Sequence, residues 1–358
     1  MSPKNQAAWI VAKSSAPLKV GDASYTSPGP GQVTIKTGAV AINPFDWVLQ
    51  YQGGMLASHL KYPMVLGVDV AGTIVEVGPK VTRFKVGDRV AGNACSIGKE
   101  INNPAEGAFQ LYVVLRENMV VGVPDTITTE QSAVLGPGVT TAAYSLFHKD
   151  YLALDMPQVP APPNPLPGSK YPRAVIVTGG ASSWRLDMMS SRLALLSLVS
   201  DLVRALEGYE LCGAYTVGVG ADKACVSVIT NRLAQAPELP TKKFITFAGG
   251  GSIAADSIKG FLGSYRMMSG MMGMMGRNAI KRMTSGIEIK FIMMANIAEP
   301  NNCVSRVYMN FLGPAIAGGQ FIPSPEAQIV GRGLDKINEA LELNQKGVSG
   351  KKLVVSLP

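Results

Sequence analysis

The chain is poor in histidine, with only His59 and His148 among 358 residues. No Ser-His-Asp arrangement can be assembled from them, so hydrolysis by a histidine-activated nucleophile is excluded as a reading. Cysteine is scarce too. Cys95, Cys212, Cys225 and Cys303 are widely separated and form no Cys-x-x-Cys pair, which argues against a disulfide framework or a structural zinc cluster. It makes a reducing, cytoplasmic setting the simplest expectation. Only 16% of residues are charged, and although the formal net charge is +8, no run of five basic residues occurs. The positive balance therefore reads as a solvated surface that favours an anionic cofactor, with no nucleic-acid partner expected. The apolar runs are broken by charge well short of the roughly 18 residues a membrane span requires, so no span and no membrane partner are expected. The first residues lead straight into a strand-like segment without a signal-peptide apolar block.

What is present is glycine and short apolar stretches. Hydrophobic residues make up 47% of the chain and glycine numbers 39, a globular composition whose length suits two domains, each with its own core. From Gln6 to Val123 the text is short strands and turns. Residues 32–37 alternate apolar and polar, 72–78 form a strand closed by Gly78-Pro79, 84–90 place a Gly-Asp turn before another, and 107–114 follow. Many short strands with frequent glycine turns predict a barrel-like β domain. Residues 128–148 read as an interrupted helix, opened by Thr128-Thr129-Glu130-Gln131 with a hydroxyl cap and an early acid. The proline-rich segment 157–172 reads as an exposed loop.

Beyond that loop lies the most informative stretch. Ala174-Val175-Ile176-Val177-Thr178 is a β-branched run that enters Gly179-Gly180-Ala181-Ser182-Ser183, with no bulky side chain until Trp184. A buried parallel strand delivers a backbone-lined pocket to a phosphate in this way. The glycines allow close approach, Ser182 and Ser183 can donate hydroxyls, and a following helix aims its N–H groups at the anion. Residues 193–206 show helical spacing with Gly208 as a stop, and 214–219 read as a second buried strand beside the first. The alternation predicts an α/β doubly wound parallel sheet. At the end, 333–345 predict an amphipathic helix closed by Gly347, and 352–357 a last strand.

Four ordered motifs carry a resemblance: Ala41-Ile42-Asn43-Pro44-Phe45-Asp46-Trp47, Leu66-Gly67-Val68-Asp69-Val70-Ala71-Gly72-Thr73-Ile74, Val86-Gly87-Asp88-Arg89-Val90 and Gly138-Val139-Thr140-Thr141-Ala142. With the ending Gly350-Lys351-Lys352-Leu353-Val354-Val355 they resemble the zinc-free medium-chain dehydrogenase/reductases. These are quinone oxidoreductase-like proteins, and the most similar group is the fungal trans-enoyl reductases and toxD-like oxidoreductases. The resemblance covers 1–183 and roughly 286–358. It implies a GroES-like β-barrel catalytic domain (1–135 and 320–358) and a Rossmann NADP(H)-binding domain (136–319), with the last helix and strand returning to the first domain. Zinc-dependent relatives carry a Cys within the stretch occupied by Asn43 to Asp46 and a Gly-His-Glu where this chain has Gly67-Val68-Asp69. Val68 cannot bind a metal, so no metal is expected, with Cys95 and His59 as isolated candidates.

The segment 184–285 departs from the family. Trp184-Arg185-Leu186-Asp187 intervenes after the turn, surplus residues are expected around 184–191, and the charged residue expected at the end of the second strand is weakly assigned to Lys223, beside Asp222. The implied chemistry is NADPH-dependent hydride transfer to an activated C=C bond of an enoyl thioester or enone, in fungal secondary metabolism. A quinone reductase and a catalytically inactive nucleotide-binding scaffold are the alternatives. The implied partners are a small-molecule or carrier-bound acyl substrate and a polyketide synthase, with the chain a monomer or homodimer.

Hydride transfer needs few side chains. Asn43 lies where its amide can orient a substrate carbonyl, or where Asn43-Pro44 merely builds a turn; the two readings stand level. Asp46 and Trp47 read as supports of that loop. Thr140 is expected against the cofactor, with Thr178, Gly179, Gly180, Ala181, Ser182, Ser183 and Lys223. Tyr51 is the nearest phenol for proton donation, and water the stronger donor. The methionine run between Met267 and Met275 reads as a substrate wall or, better, as a flexible loop or dimer contact, because Gly270, Gly273 and Gly276 oppose a helix.

Overall fold

In the computed structural model the described residues are 3–161, 173–178, 194–196, 210–217, 244–248, 261–285, 288–292, 294, 296–348 and 350–358. The alternating segments of the N-terminal part pair as antiparallel strands. β1 (Asn5–Ile10), β2 (Lys19–Ala23) and β4 (Met64–Val65) make a three-stranded sheet in the order β2-β1-β4. A seven-stranded sheet takes β3 (Gln32–Ala41), β5 (Asp69–Val77), β6 (Arg89–Asn93), β7 (Tyr112–Arg116) and β8 (Val120–Gly122) from the same part of the chain. It is completed by β14 (Glu326–Arg332) and β15 (Lys351–Ser356), in the order β14-β15-β3-β5-β6-β8 with β7 on β3. The chain end thus returns: β15 pairs antiparallel with β3, setting Val354 opposite Ala41. Bulk forces one turn here. Gly67 has φ +87° with the Phe109 ring packed where a Cβ would lie, so only glycine fits.

Helix α1 (Pro44–Leu56) opens at Asn43 and lies against the last helix, Lys336–Gln345, through Trp47 Nε1 donating to Asn344 Oδ1 at 3.1 Å. The interrupted helix resolves into α2 (Thr129–Ser132) and α3 (Gly136–Phe147), and Thr128 caps the first by accepting the Gln131 N–H at 3.1 Å. His148 terminates α3, as its place in the sequence suggests, with its ring stacked on Tyr144.

The second sheet is parallel throughout. It contains β9 (Arg173–Thr178), β10 (Ala194–Leu196), β11 (Glu210–Val217), β12 (Phe244–Ala248) and β13 (Glu288–Phe291), in the order β10-β9-β11-β12-β13. The expected neighbour of β9 is there: β11 pairs with it, Thr216 opposite Thr178. The helix expected over 193–206 is not continuous, because Ala194-Leu195-Leu196 form β10 on the other side of β9. A short apolar run satisfies both periods, and pairing with an exposed strand decides it. The segment 267–275 is also corrected. It lies in one helix, α4 (Phe261–Ser285), tied down by Ser264 Oγ to Gln52 Oε1 at 2.6 Å and Asn278 Nδ2 to the Ile289 carbonyl at 3.3 Å. Each glycine disfavours helix by about 1 kcal/mol, and these anchors at either end oppose that. Helix α3 belongs to both halves, since Ser145 Oγ meets Thr246 Oγ1 of β12 at 2.6 Å while its N-terminus enters the barrel.

Candidate functional site

Two buried polar clusters meet where β3, β5, β6 and β15 approach the start of α3. Asp69 opens β5, between Ala41 of β3 and Asn93 of β6. Its side chain is wholly buried, as is nearly all of Lys352, and the two form an ion pair through Asp69 Oδ2. The same oxygen accepts Asn43 Nδ2–H at 2.9 Å, and Lys352 Nζ also donates to the Val134 carbonyl at 3.3 Å. Asp69 Oδ1 makes no hydrogen bond among the described residues. The Gly136 N–H helps hold the charge without reaching good hydrogen-bond geometry. A Cβ at Gly136 would stand 2.5 Å from that oxygen, so glycine is what lets α3 begin there.

Asp46 lies one turn into α1 and accepts the Asn43 backbone N–H at 2.8 Å. Burial, reinforced by the charge of Asp69 and opposed by the Asn43 hydrogen bonds and by Lys352, pushes its carboxyl from 3.8 up to about 7. Burial also raises Asp69, with Lys352 and Asn43 pulling the other way. Lys352 thus opposes the effect of burial on both carboxyls, through an ion pair with Asp69 and through its charge alone on Asp46.

The second cluster touches the first through Asn93. Thr140 Oγ1 donates to Asn93 Oδ1 at 3.1 Å and lies 3.3 Å from the Tyr308 hydroxyl, which donates to the Gly136 carbonyl at 2.9 Å. Tyr308 sits in a π-helical stretch, Val307–Leu312, and burial raises its phenol, so it stays protonated. Cys95 Sγ donates to the Asn93 carbonyl at 3.3 Å and is pushed by burial up to about 12, a thiol rather than a ligand or nucleophile. His59 meets the Ile97 carbonyl at 2.9 Å. Among the described residues no three His, Cys, Asp or Glu side chains group as a metal site. Asp69 is held by Lys352, and Val68 has no donor, so the residues present do not fit a zinc ion.

The sequence-derived residues are thus placed unequally. Asn43 is brought to Asp46, Asp69 and Lys352, and its amide is engaged by Asp69. Tyr51 lies two turns further along α1, about 12 Å at 1.5 Å per residue, and its carbonyl accepts Ser14 Oγ at 3.1 Å. It does not join the cluster. Thr140 turns its hydroxyl inward and is fully buried. Thr178 ends β9 at its carboxyl edge, and the sheet order changes direction at β9, with β10 on one side and β11 on the other. Gly179, Gly180, Ala181, Ser182, Ser183 and Lys223, the surplus at 184–191 and most of the proline-rich loop lie outside the described residues. Sequence reasoning missed Asp69, Asn93, Tyr308 and Lys352 as a constellation. The signal for one was a lysine leading the apolar run Leu353-Val354-Val355, where a charge must be paired if the strand is buried.

Residues 29–125 match the alcohol dehydrogenase GroES-like domain. A dehydrogenase of Monascus ruber is 34% identical over 99% of this chain and 100% of its own length. The chain belongs to the medium-chain dehydrogenase/reductases. It is also 31% identical to a trans-enoyl reductase of Aspergillus japonicus, over 99% of this chain and 97% of the relative. In fold it resembles CAD from Helicobacter pylori, solved with NADP(H), at TM-score 0.55 and 16% identity, covering 99% of this chain and 98% of that one. The architecture is accordingly a GroES-like barrel and a Rossmann sheet, and the protein is an oxidoreductase of this family.

Proposed function

We propose that this medium-chain reductase transfers hydride from NADPH to an activated C=C bond of an enoyl thioester or enone, without a metal, in fungal secondary metabolism. The observation that carries the reading is the end of β9. Thr178 ends β9 where the parallel sheet changes direction, the place where open α/β sheets bind dinucleotides outside the carboxyl ends of their strands, and the sequence goes on with Gly179-Gly180. The Gly179–Gly180 backbone and the Ser182 and Ser183 hydroxyls would hold the pyrophosphate. When bound, the nicotinamide supplies the hydride. The likeness to a trans-enoyl reductase along nearly the whole chain supports the choice of C=C over other acceptors.

The chain's own part is positioning and charge. Asp69 holds the Asn43 amide at the N-terminus of α1, and its second N–H is the group left to orient a carbonyl. Lys352 pairs with Asp69 and opposes the effect of burial on its carboxyl, and the Asn43 amide donates to the same carboxyl oxygen. Proton delivery falls to water. The test is oxidation of NADPH, and separately of NADH, with a panel of enones, enoyl thioesters and quinones. Turnover of enones or enoyl thioesters with NADPH supports the reading; turnover of quinones alone replaces it.

A further inference from the structure

Helix α1 carries one side chain that the reductase reading leaves unused. Its first turn sends three consecutive residues in three directions, because successive positions lie about 100° apart. Asp46 turns to the Asn43 backbone and Trp47 to Asn344 of the last helix, and both are buried. Phe45 is 44% exposed. It takes no part in closing the helix end, because the positions that staple this N-terminus are Ile42 and Trp47, on either side of the Asn43 cap. Gln52 shows where Phe45 points. Seven residues further on, it lies within about 20° of Phe45 around the helix and about 10 Å along it. Gln52 is buried, and its Oε1 accepts the Ser264 hydroxyl of α4 at 2.6 Å. Helix α4 belongs with the parallel sheet: Asn278 Nδ2 donates to the Ile289 carbonyl of β13 at 3.3 Å, and Arg282 pairs with Glu288 of the same strand at 3.9 Å. The side of α1 that carries Phe45 is therefore the side that faces the half with the parallel sheet. Val48, half-buried, lies on that side between the two positions. Of the 13 residues of α1 only Asp46 is charged, and it points elsewhere.

We propose that Phe45 is a specificity-determining residue, its ring forming the wall on which the hydrocarbon tail of the substrate lies between the barrel and the parallel sheet. The inference rests on the reductase reading, in which the Asn43 amide orients the substrate carbonyl. Asn43 and Phe45 are two residues apart at the opening of α1, so a chain conjugated to that carbonyl comes within reach of the ring. An enoyl thioester has two arms, a hydrocarbon beyond the C=C bond and a polar carrier arm beyond the sulfur. This side of α1 is apolar and uncharged, and it suits the first. Methylenes laid on an aromatic ring leave water at a gain, whereas amides of the carrier arm would lose their water without a partner. The Gln52–Ser264 bridge closes this side of α1 about 10 Å beyond the ring, so the apolar wall has an end as well as a beginning.

The experiment compares kcat/KM, with NADPH, for a butenoyl and an octenoyl thioester and for the matching pair of methyl ketones. It uses the full-length protein and its variants Phe45→Ala and Phe45→Leu, with folding checked by circular dichroism. The native protein is expected to favour the longer member of a pair by about tenfold or more. Phe45→Ala should cut that preference about threefold or more, chiefly through the KM of the longer substrate. Phe45→Leu keeps an apolar wall and should restore most of it. The ratio separates this role from a structural one, because a distorted α1 slows both substrates together. No native preference for the longer substrate, or a preference that Phe45→Ala leaves unchanged, would overturn the assignment of Phe45 while the reductase reading stands. Failure of the native protein to turn over any of the four substrates would overturn both.

Discussion

At the scale of single residues, the buried carboxylates make the sharpest statements. Asp46 is raised from 3.8 to about 7 by burial and by Asp69, so the native protein keeps a proton that the unfolded chain releases near the ordinary value. The stability this confers is complete below about pH 4 and is lost as pH climbs to about 7, an effect on the order of 4 kcal/mol for one fully buried group. Asp46→Asn, which keeps an acceptor for the Asn43 N–H, should flatten the dependence. Thermal unfolding at pH 5 and pH 8 measures it, and an unchanged slope in the variant would assign the dependence to another group. Lys352 is the second case. Removing it leaves Asp69 charged and buried without its partner, so Lys352→Met should cost about 3–5 kcal/mol, and Lys352→Met/Asp69→Leu should recover part of the loss. Denaturant titration of the three proteins decides whether the pair is coupled.

Among the elements, the start of α3 is the tightest fit. Gly136→Ala would drive a Cβ against Asp69 Oδ1 and to 3.1 Å from the Gly92 carbonyl. A backbone atom cannot rotate away, so a loss of roughly 1–3 kcal/mol is expected from unfolding curves. The Gly179-Gly180 sequence that follows β9 makes the functional counterpart. Gly180→Asp would set a carboxylate against the pyrophosphate and should abolish NADPH binding in a folded protein, read by titration of cofactor fluorescence. Unchanged affinity would show that the phosphate binds elsewhere. Elements differ in how legible they were. The Thr128 cap, the Gly-Asp turn before β6 and the β9 run each carry a local chemical signal. The Ala194–Leu196 strand does not, because three apolar residues say nothing until β9 offers an edge. The methionine helix was obscured by its glycines, whose local cost is opposed by contacts outside the helix, with Ile289 and Glu288 just after it and with Gln52 far away in sequence.

For the molecule as a whole, metal and cofactor are the questions. Activity should survive exhaustive chelation, because Asp69 is engaged by Lys352 and Val68 lacks a donor; stoichiometric zinc whose removal stops turnover would reverse that conclusion. The sequence by itself determined the family and the two kinds of sheet. Those rest on contiguous patterns: alternation, β-branched runs, and glycines that follow a strand. Only the tertiary structure decided which polar residues form the buried cluster. Asn43, Asp69, Asn93, Tyr308 and Lys352 come from the first and last parts of the chain, and Lys352 reaches Asp69 because β15 returns to pair with β3. Tertiary structure also showed that the Thr140 hydroxyl turns inward and that Tyr51 stands apart from Asn43. Such placements depend on which strands pair and which helix ends meet them, and burial then shifts the charges. A linear pattern records the residues available to a site. The pairing of distant segments determines which of them share one low-dielectric pocket.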